Sequence, residues 1–279
     1  MLDAHHHFWK ISRGDYGWMG DHVQPLLHDF LPEDLLPLMR RTGISRTILV
    51  QAAETDAETD FLLDIAARNT FVVGVVGWAD LDDSGFPERL AALRKNPLLV
   101  GLRPMLQDLK DDAWILRPRV LQNMALIAEA GLTFDVLCFP RHLPYVAEAL
   151  AGTPGLTAVI DHLAKPDIKS GSLGAWADEI AKIGLIPGLF CKLSGMVTEA
   201  SLTDWTPGDL RPYVDHVIGV FGPKRLIFGS DWPVCTLAAS YSEVVNAVRT
   251  LLAPHFGPED MQRVFWTNGE KAYNIPGGA

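Results

Sequence analysis

Three consecutive histidines stand close to the N-terminus, in the segment DAHHHFW at residues 3–9. Alternate side chains of a β-strand share a face, so Asp3, His5 and His7 are expected to point one way and His6 the other. Two imidazoles on one face at the end of a strand can converge on a metal ion or on a substrate oxygen. The run is too short for a purification tag, and we interpret it as part of a reaction centre.

Two later segments each place one ionisable side chain at the end of an apolar run. His162 lies in VIDHLAKP and Asp231 lies in LIFGSDWP. Alone, His162 is explained as a satisfied core residue and Asp231 as the cap of the following helix. Together with His5 and His7, they supply a general base and several groups that stabilise negative charge on a carbonyl oxygen.

The elements that must position these residues are short apolar runs that alternate with longer amphipathic segments. Their near-continuous apolar character indicates parallel strands that are buried on both faces. The alternation predicts an α/β fold, a closed (β/α)8 barrel that forms a single domain over residues 1–279. The open doubly wound sheet is the alternative, but it usually has a glycine-rich first turn, and this chain has none. The predicted strands are residues 2–7, 46–53, 71–79, 98–105, 132–138, 156–163, 188–194 and 225–230.

Helix signals fill the intervals between the strands, and one connection is unusually long. About two dozen residues separate the first strand from the first helix, from Phe8 to Leu31, and loops of that length usually have a function. This loop is expected to cover the barrel mouth or to pack along its rim. The predicted helices are residues 32–43, 56–69, 87–95, 120–131, 142–150, 173–183, 209–221, 240–252 and 258–273.

The composition of the chain indicates which class of molecule it binds. The 279 residues have a formal net charge of −10, which disfavours nucleic acid because such a surface repels phosphate. No apolar run reaches membrane-spanning length and no signal peptide is evident, so a cytoplasmic protein with a small-molecule substrate is expected. Homo-oligomer formation stays open. The cysteines Cys138, Cys191 and Cys235 form no disulfide framework, and we expect buried thiols rather than a nucleophile.

Several motifs resemble those of a known family over nearly the whole chain. GLRPMLQD, DHLAKP, CKLSG and FGSDWP are similar to motifs of the amidohydrolase superfamily, in its amidohydrolase-related group. Within that group the resemblance is to sugar-lactone hydrolases of the L-fuconolactonase and L-rhamnonolactonase types, which are related to 2-pyrone-4,6-dicarboxylate lactonase. The resemblance implies that His5, His7, His162 and Asp231 form the reaction centre of a lactonase in carbohydrate metabolism.

The implied reaction is the opening of a lactone ring by water. Asp231 would remove a proton from the water and return it to the ring oxygen as that oxygen leaves. Metal-dependent members of the superfamily usually have a histidine on the fifth strand, whereas this chain has LTFDVLC with Asp135 there. One zinc ion held by His5, His7 and Asp231, and a reaction without metal, are both consistent with the sequence.

Substrate contacts and rival functions are less strongly determined by the sequence. The alternatives are an anionic lactone as substrate, a zinc-dependent non-oxidative decarboxylase of the same superfamily, and a non-catalytic sugar-binding barrel. Each predicted substrate-binding residue also has a structural explanation, as an ion pair or as core packing. These residues are Arg103, Arg141, His142, Lys192, Gln51 and Trp232, with Trp78 as a further wall residue.

Overall fold

Eight parallel strands form the sheet in the computed structural model, which describes residues 1–277. Each strand pairs with the next one along the chain, so the spatial order is the chain order. The predicted (β/α)8 barrel is confirmed. The strands are β1 (Leu2–His6), β2 (Arg46–Val50), β3 (Val72–Gly77), β4 (Leu99–Leu102), β5 (Thr133–Val136), β6 (Ala158–Ile160), β7 (Leu189–Leu193) and β8 (Leu226–Phe228).

Helices surround this sheet at the intervals that the sequence predicts. The helices of residues 1–277 are α1 (Pro32–Thr42), α2 (Asp56–Arg68), α3 (Phe86–Leu93), α4 (Pro118–Glu129), α5 (Leu143–Ala151), α6 (Gly174–Ile183), α7 (Met196–Glu199), α8 (Pro207–Phe221), α9 (Tyr241–Leu252), α10 (Pro258–Gln262) and α11 (Asn268–Ala272). A π-helical turn, Arg263–Thr267, joins α10 to α11. None of these helices combines the length and apolar character that crossing a membrane would require.

The barrel closes at its C-terminal end, through the residues that follow β8. The N–H of His7 donates to the carbonyl of Trp232 at 2.7 Å, and the N–H of Asp231 donates to the carbonyl of His5 at 2.8 Å. These bonds join the first strand to the last without a regular ladder. They also place the backbone of Asp231 directly beside the paired histidines.

The register of β1 changes between Asp3 and His6, which corrects one prediction. The Asp3 carboxylate accepts a hydrogen bond from the Tyr241 hydroxyl of α9 at 3.0 Å and another from the Ser230 N–H at 2.9 Å. Asp3 therefore does not share the face of His5. The Nε2 atom of His6 lies 2.9 Å from Thr47 Oγ1, so His6 points away from His5 and His7, as predicted.

The chain after α10 closes the opposite, N-terminal end of the barrel. The Thr133 hydroxyl donates to the Ala272 carbonyl at 2.6 Å, and the Tyr273 hydroxyl lies 2.8 Å from both Asp135 carboxylate oxygens. Tyr273 also packs in the apolar cluster of the barrel interior, with Leu2 and Ile227. The last helical segment is thus part of the barrel core.

The long connection from Phe8 to Leu31 combines both predicted roles. Its ends are tied by two backbone hydrogen bonds between Trp9 and Phe30, of 3.0 and 3.1 Å. Farther along, the Trp18 indole N–H donates to the Ala52 carbonyl at 2.7 Å, which places this side chain beside the barrel mouth. The loop therefore packs along the rim through Trp9 and approaches the mouth through Trp18.

A buried carboxyl group on α2 anchors this loop. The Tyr16 hydroxyl donates to Glu58 Oε2 at 3.0 Å, and the Ala52 N–H donates to Glu58 Oε1 at 3.1 Å. Burial raises the pKa of Glu58 to about 7, because the ionised form loses its hydration. The folded protein therefore keeps a proton on Glu58 at pH values where the unfolded chain has lost it.

Replacing this carboxyl group should remove one pH-dependent part of the stability. Between about pH 4.5 and 7 the unfolded chain releases the proton and the folded chain retains it, so wild-type stability should fall as the pH rises. Relative to Glu58→Gln the fall should be about 3 kcal/mol, since one pKa unit corresponds to about 1.4 kcal/mol. Urea unfolding of both proteins at several pH values measures this difference, and parallel curves would contradict the assignment.

Candidate active site

Three imidazoles surround one carboxylate at the C-terminal end of the barrel. The Asp231 Oδ1 atom lies 3.3 Å from His7 Nε2, 3.7 Å from His5 Nε2 and 3.9 Å from His162 Nε2. The side chains of all four residues are at most 5% exposed. The structure thus brings together the four predicted catalytic residues, which come from the ends of β1, β6 and β8.

The imidazoles of His7 and His162 are each oriented by a contact of Nδ1, the ring nitrogen that does not face Asp231. The Nδ1 atom of His7 lies 2.8 Å from the Val50 carbonyl oxygen, and Nδ1 of His162 lies 2.8 Å from Ser194 Oγ. A carbonyl only accepts, so His7 Nδ1 holds the proton and its Nε2 faces the Asp231 carboxylate. His7 Nε2 and Asp231 Oδ1 are then both acceptors, and at 3.3 Å they need a proton or a cation between them.

Strained backbone positions both His162 and Asp231. His162, Leu163, Ala164 and Lys165 have φ values of 53°, 55°, 59° and 50°, and Asp231 has a φ of 58°. Such conformations cost about 1–3 kcal/mol each, and they persist at functional sites where neighbouring structure imposes them. β6, predicted to continue to residue 163, therefore ends at Ile160, and the left-handed turn directs His162 toward the barrel axis.

A cradle formed by the end of β7 holds His162 in this position. The Ser194 hydroxyl contacts His162 Nδ1, and the next residue, Gly195, has a φ of 62°. A β-carbon added at Gly195 would lie 2.5 Å from His162 Nδ1, closer than real side-chain contacts. The motif CKLSG thus contains two residues, missed as site residues, that fit against the His162 imidazole.

Beneath the imidazoles lies a buried network of charges. The Lys192 ammonium lies 2.6 Å from Asp135 Oδ2 and 2.9 Å from Asp161 Oδ1. Asp161 also accepts from Arg103 at 3.0 Å and lies 3.4 Å from His5 Nδ1. Lys192 was predicted to bind substrate, but it is fully buried among these carboxylates. Asp161 was missed, although it stands next to His162 in the motif.

Burial and charge act in opposite directions on these groups. Burial alone would raise the pKa of Asp231, but His162, His7 and His5 outweigh it and hold the pKa below its usual range. Burial lowers the pKa of His162 to about 4 and that of His5 well below its ordinary value. At neutral pH the centre therefore contains an ionised carboxylate beside uncharged His5 and His162.

A cavity opens over this centre, and one of the predicted substrate-binding residues lines it. Arg103, 3% exposed, faces the cavity together with His7, His162 and Asp231. Gln51 lies behind Arg103, where its side-chain amide donates to the Arg103 carbonyl at 2.9 Å. Gln51 therefore positions the arginine.

Three other predicted contacts lie away from this cavity. The Trp232 ring packs against Phe8 and Phe30, because the preceding residues turn it into the core. Arg141 and His142 both pair with the Asp112 carboxylate at 3.0 Å on the outer rim. Both side chains thus share one carboxylate outside the cavity. Trp78 lines a neighbouring cavity.

The cysteines are buried and unsuited to nucleophilic attack. Cys138, Cys191 and Cys235 are free thiols with no exposed surface. Burial raises the pKa of Cys138 to about 12, so the reactive thiolate is scarce at neutral pH. This supports the expectation that the thiols are structural.

Comparison with known proteins places this geometry in a family. The family model described as amidohydrolase matches residues 2–275. The chain belongs to the amidohydrolase family. The resemblance predicted from the motifs is thereby confirmed.

Relatives within this amidohydrolase family match the chain from end to end. An L-fucono-1,5-lactonase of Burkholderia ambifaria is 40% identical, over 98% of this chain and 95% of the relative. An L-fucono-1,5-lactonase of Burkholderia multivorans is 36% identical, over 99% and 96%. The crystal structure of an amidohydrolase from Burkholderia multivorans with bound zinc is 35% identical, with a TM-score of 0.94 and 99% of both chains covered.

The cradle around His162 can be tested by adding one methyl group. Gly195→Ala should lower kcat/KM by about 100-fold, since a displacement near 1 Å at a catalytic group has this effect. Gly171→Ala is the matched control, because Gly171 also has a positive φ, of 71°, but its added β-carbon meets nothing within 4 Å. Gly171→Ala should lose about 1–2 kcal/mol of stability from its left-handed backbone alone, and Gly195→Ala should lose more, because its β-carbon also displaces the His162 ring. Equal activity of the two variants would contradict the role of the cradle.

Proposed function

We propose that this chain hydrolyses the ring ester of a sugar lactone, with L-fucono-1,5-lactone as the first candidate substrate. The observation that carries the proposal is the convergence of Asp231 with His5, His7 and His162 within 4 Å. That arrangement is suited to adding water to a carbonyl. The specific choice of sugar lactone rests on the relatives that match the chain from end to end.

In the proposed reaction, Asp231 positions a water molecule and accepts its proton as the water oxygen attacks the lactone carbonyl. The surrounding imidazole side chains and Arg103 stabilise the negative charge that develops on the carbonyl oxygen. The bond between the carbonyl carbon and the ring oxygen then breaks. Asp231 returns the proton to the ring oxygen, which becomes a hydroxyl group. The carboxylic acid formed at the carbonyl carbon keeps the second proton of the water and releases it to solvent, which leaves the carboxylate.

The donor set also suits one divalent ion, and zinc is the favoured candidate. Ligand atoms of His5, His162 and Asp231 lie within 4.8 Å of one another, and Nε2 of His7 faces the same carboxylate. Anchored Nδ1 atoms, as in His7 and His162, are typical of metal-binding histidines. An ion held there would act as a Lewis acid on the lactone carbonyl.

The rival enzymatic functions are disfavoured by the relatives that match the chain from end to end at 36% and 40% identity. Both are named as L-fucono-1,5-lactonases, and that lactone is neutral, whereas an anionic lactone or the substrate of a decarboxylase carries a carboxylate. A binding-only barrel would not require an ionised carboxylate among three imidazoles.

The role of Asp231 is tested by an isosteric substitution. Asp231→Asn should reduce kcat by about 10²–10⁴-fold, the usual contribution of general-base catalysis. Asparagine adopts the left-handed backbone as readily as aspartate, so the fold should be retained. Acid release from L-fucono-1,5-lactone, followed with a pH indicator, measures the loss. Asp178→Asn, on the exposed face of α6, should keep full activity, and near-wild-type turnover of Asp231→Asn would refute the mechanism.

Metal binding is tested separately from turnover. After chelation and dialysis, titration calorimetry should show one equivalent of zinc bound to the wild-type protein. His162→Gln should weaken this binding by more than about 100-fold, because second-sphere changes alone cost 10–100-fold. His142→Gln, outside the cavity, should bind zinc like the wild type. An unaffected His162→Gln would remove this histidine from the ligand set.

A further inference from the structure

The left-handed turn that carries His162 also brings a cation to the cavity. Lys165 lines the cavity together with Arg103 and Asp231. The N–H of Lys165 donates to the His162 carbonyl at 2.7 Å and closes the turn. Side chains three residues apart in so tight a turn lie on the same side. The strained backbone therefore presents an imidazole and an ammonium group to one space.

The surroundings hold this turn in place independently of Lys165. The Trp176 indole N–H donates to the Leu163 carbonyl at 2.7 Å, and the Ser194 hydroxyl and Gly195 hold His162. These contacts fix the turn at His162 and Leu163, which precede the lysine. A substitution of the Lys165 side chain thus changes what is presented to the cavity and leaves the turn anchored.

The ammonium group of Lys165 has weaker polar contacts than the guanidinium of Arg103, the other cation that lines the cavity. Arg103 uses both terminal nitrogens, one on Asp161 and one on the Gln51 carbonyl. The Lys165 Nζ atom lies 3.7 Å from Glu199 Oε1, which is longer than a hydrogen bond. The lysine side chain is 21% exposed, and its ammonium lies 5.6 Å from the Phe139 ring centre.

Ring opening creates a charge that this cavity must accommodate. A neutral ester becomes a carboxylate, and it does so beside the ionised Asp231. We propose that Lys165 is a substrate-binding residue that donates to the carboxylate oxygens formed during ring opening. This inference rests on the proposed lactonase function and adds the group that distinguishes the charged product from the neutral substrate.

The test compares the binding of product and substrate. Lys165→Met should raise the inhibition constant of the aldonate product by about 10–100-fold, the usual effect of losing a hydrogen bond to a charged group. The KM of the neutral lactone should change less than about 3-fold, because no full charge is lost from that complex. Lys165→Arg retains the positive charge and should recover most of the product binding.

Two control variants separate this role from a structural one. Lys169→Met changes an exposed lysine of the next turn and should leave both constants unchanged. Glu199→Gln removes the ion pair and leaves the ammonium group, so product binding should be retained. If Glu199→Gln weakens product binding as much as Lys165→Met does, the lysine acts only through that ion pair and the proposal is overturned.

Failure of this inference can be told apart from failure of the proposed function. Calorimetry measures aldonate binding directly, whether or not the protein turns over a lactone. A wild-type protein that binds the aldonate but hydrolyses no lactone would refute the proposed function, and Lys165→Met would still be tested by binding. Loss of lactone and aldonate binding by the same factor, or of neither, would overturn the assignment of Lys165.

Discussion

The whole site depends on the way the first strand meets the chain after the last strand. Two backbone hydrogen bonds, between His7 and Trp232 and between His5 and Asp231, complete the barrel. The same two bonds place the Asp231 carboxylate beside the imidazoles of His5 and His7. His7 and Asp231 are 224 residues apart in the sequence. The contacts that close the barrel are therefore also the contacts that bring Asp231 to His5 and His7.

Buried charge in this barrel is tolerated because it is arranged in layers. Lys192 and Arg103 neutralise Asp135 and Asp161 below the imidazoles, which leaves the imidazoles to stabilise Asp231 above them. An unpaired buried charge would cost several kcal/mol. Because Lys192 and Arg103 neutralise the carboxylates of the lower layer, the upper layer can contain the Asp231 carboxylate. The imidazoles around Asp231 direct lone pairs or protons at the cavity.

Much of this organisation could be predicted from the sequence, because the alternation of strands and helices and the positions of His5, His7, His162 and Asp231 follow directly from local patterns. What could not be predicted depends on backbone conformations that local patterns do not reveal. The register change in β1 turned Asp3 away from His5. Four left-handed residues ended β6 early and exposed Lys165 to the cavity.

For some side chains the sequence allows two explanations, substrate binding and an ion pair, between which it cannot choose. Lys192 and Arg141 both lie near the ends of predicted strands, as a substrate-binding cation would. Each is instead paired with a carboxylate on a neighbouring element, Asp135 and Asp112 respectively. Such pairings join residues from different parts of the chain, so only the folded arrangement decides between an ion pair and a free cation.

The position of Tyr273 has a consequence for the order of assembly during synthesis. Its hydroxyl completes the surroundings of Asp135 deep inside the barrel, and its ring lies 5.2 Å from the Lys192 ammonium. This tyrosine is translated after all eight strands. While the ribosome still holds that segment, the Tyr273 hydroxyl cannot reach Asp135 and its ring cannot pack with Leu2 and Ile227, so the interior contacts are complete only after translation has passed Tyr273.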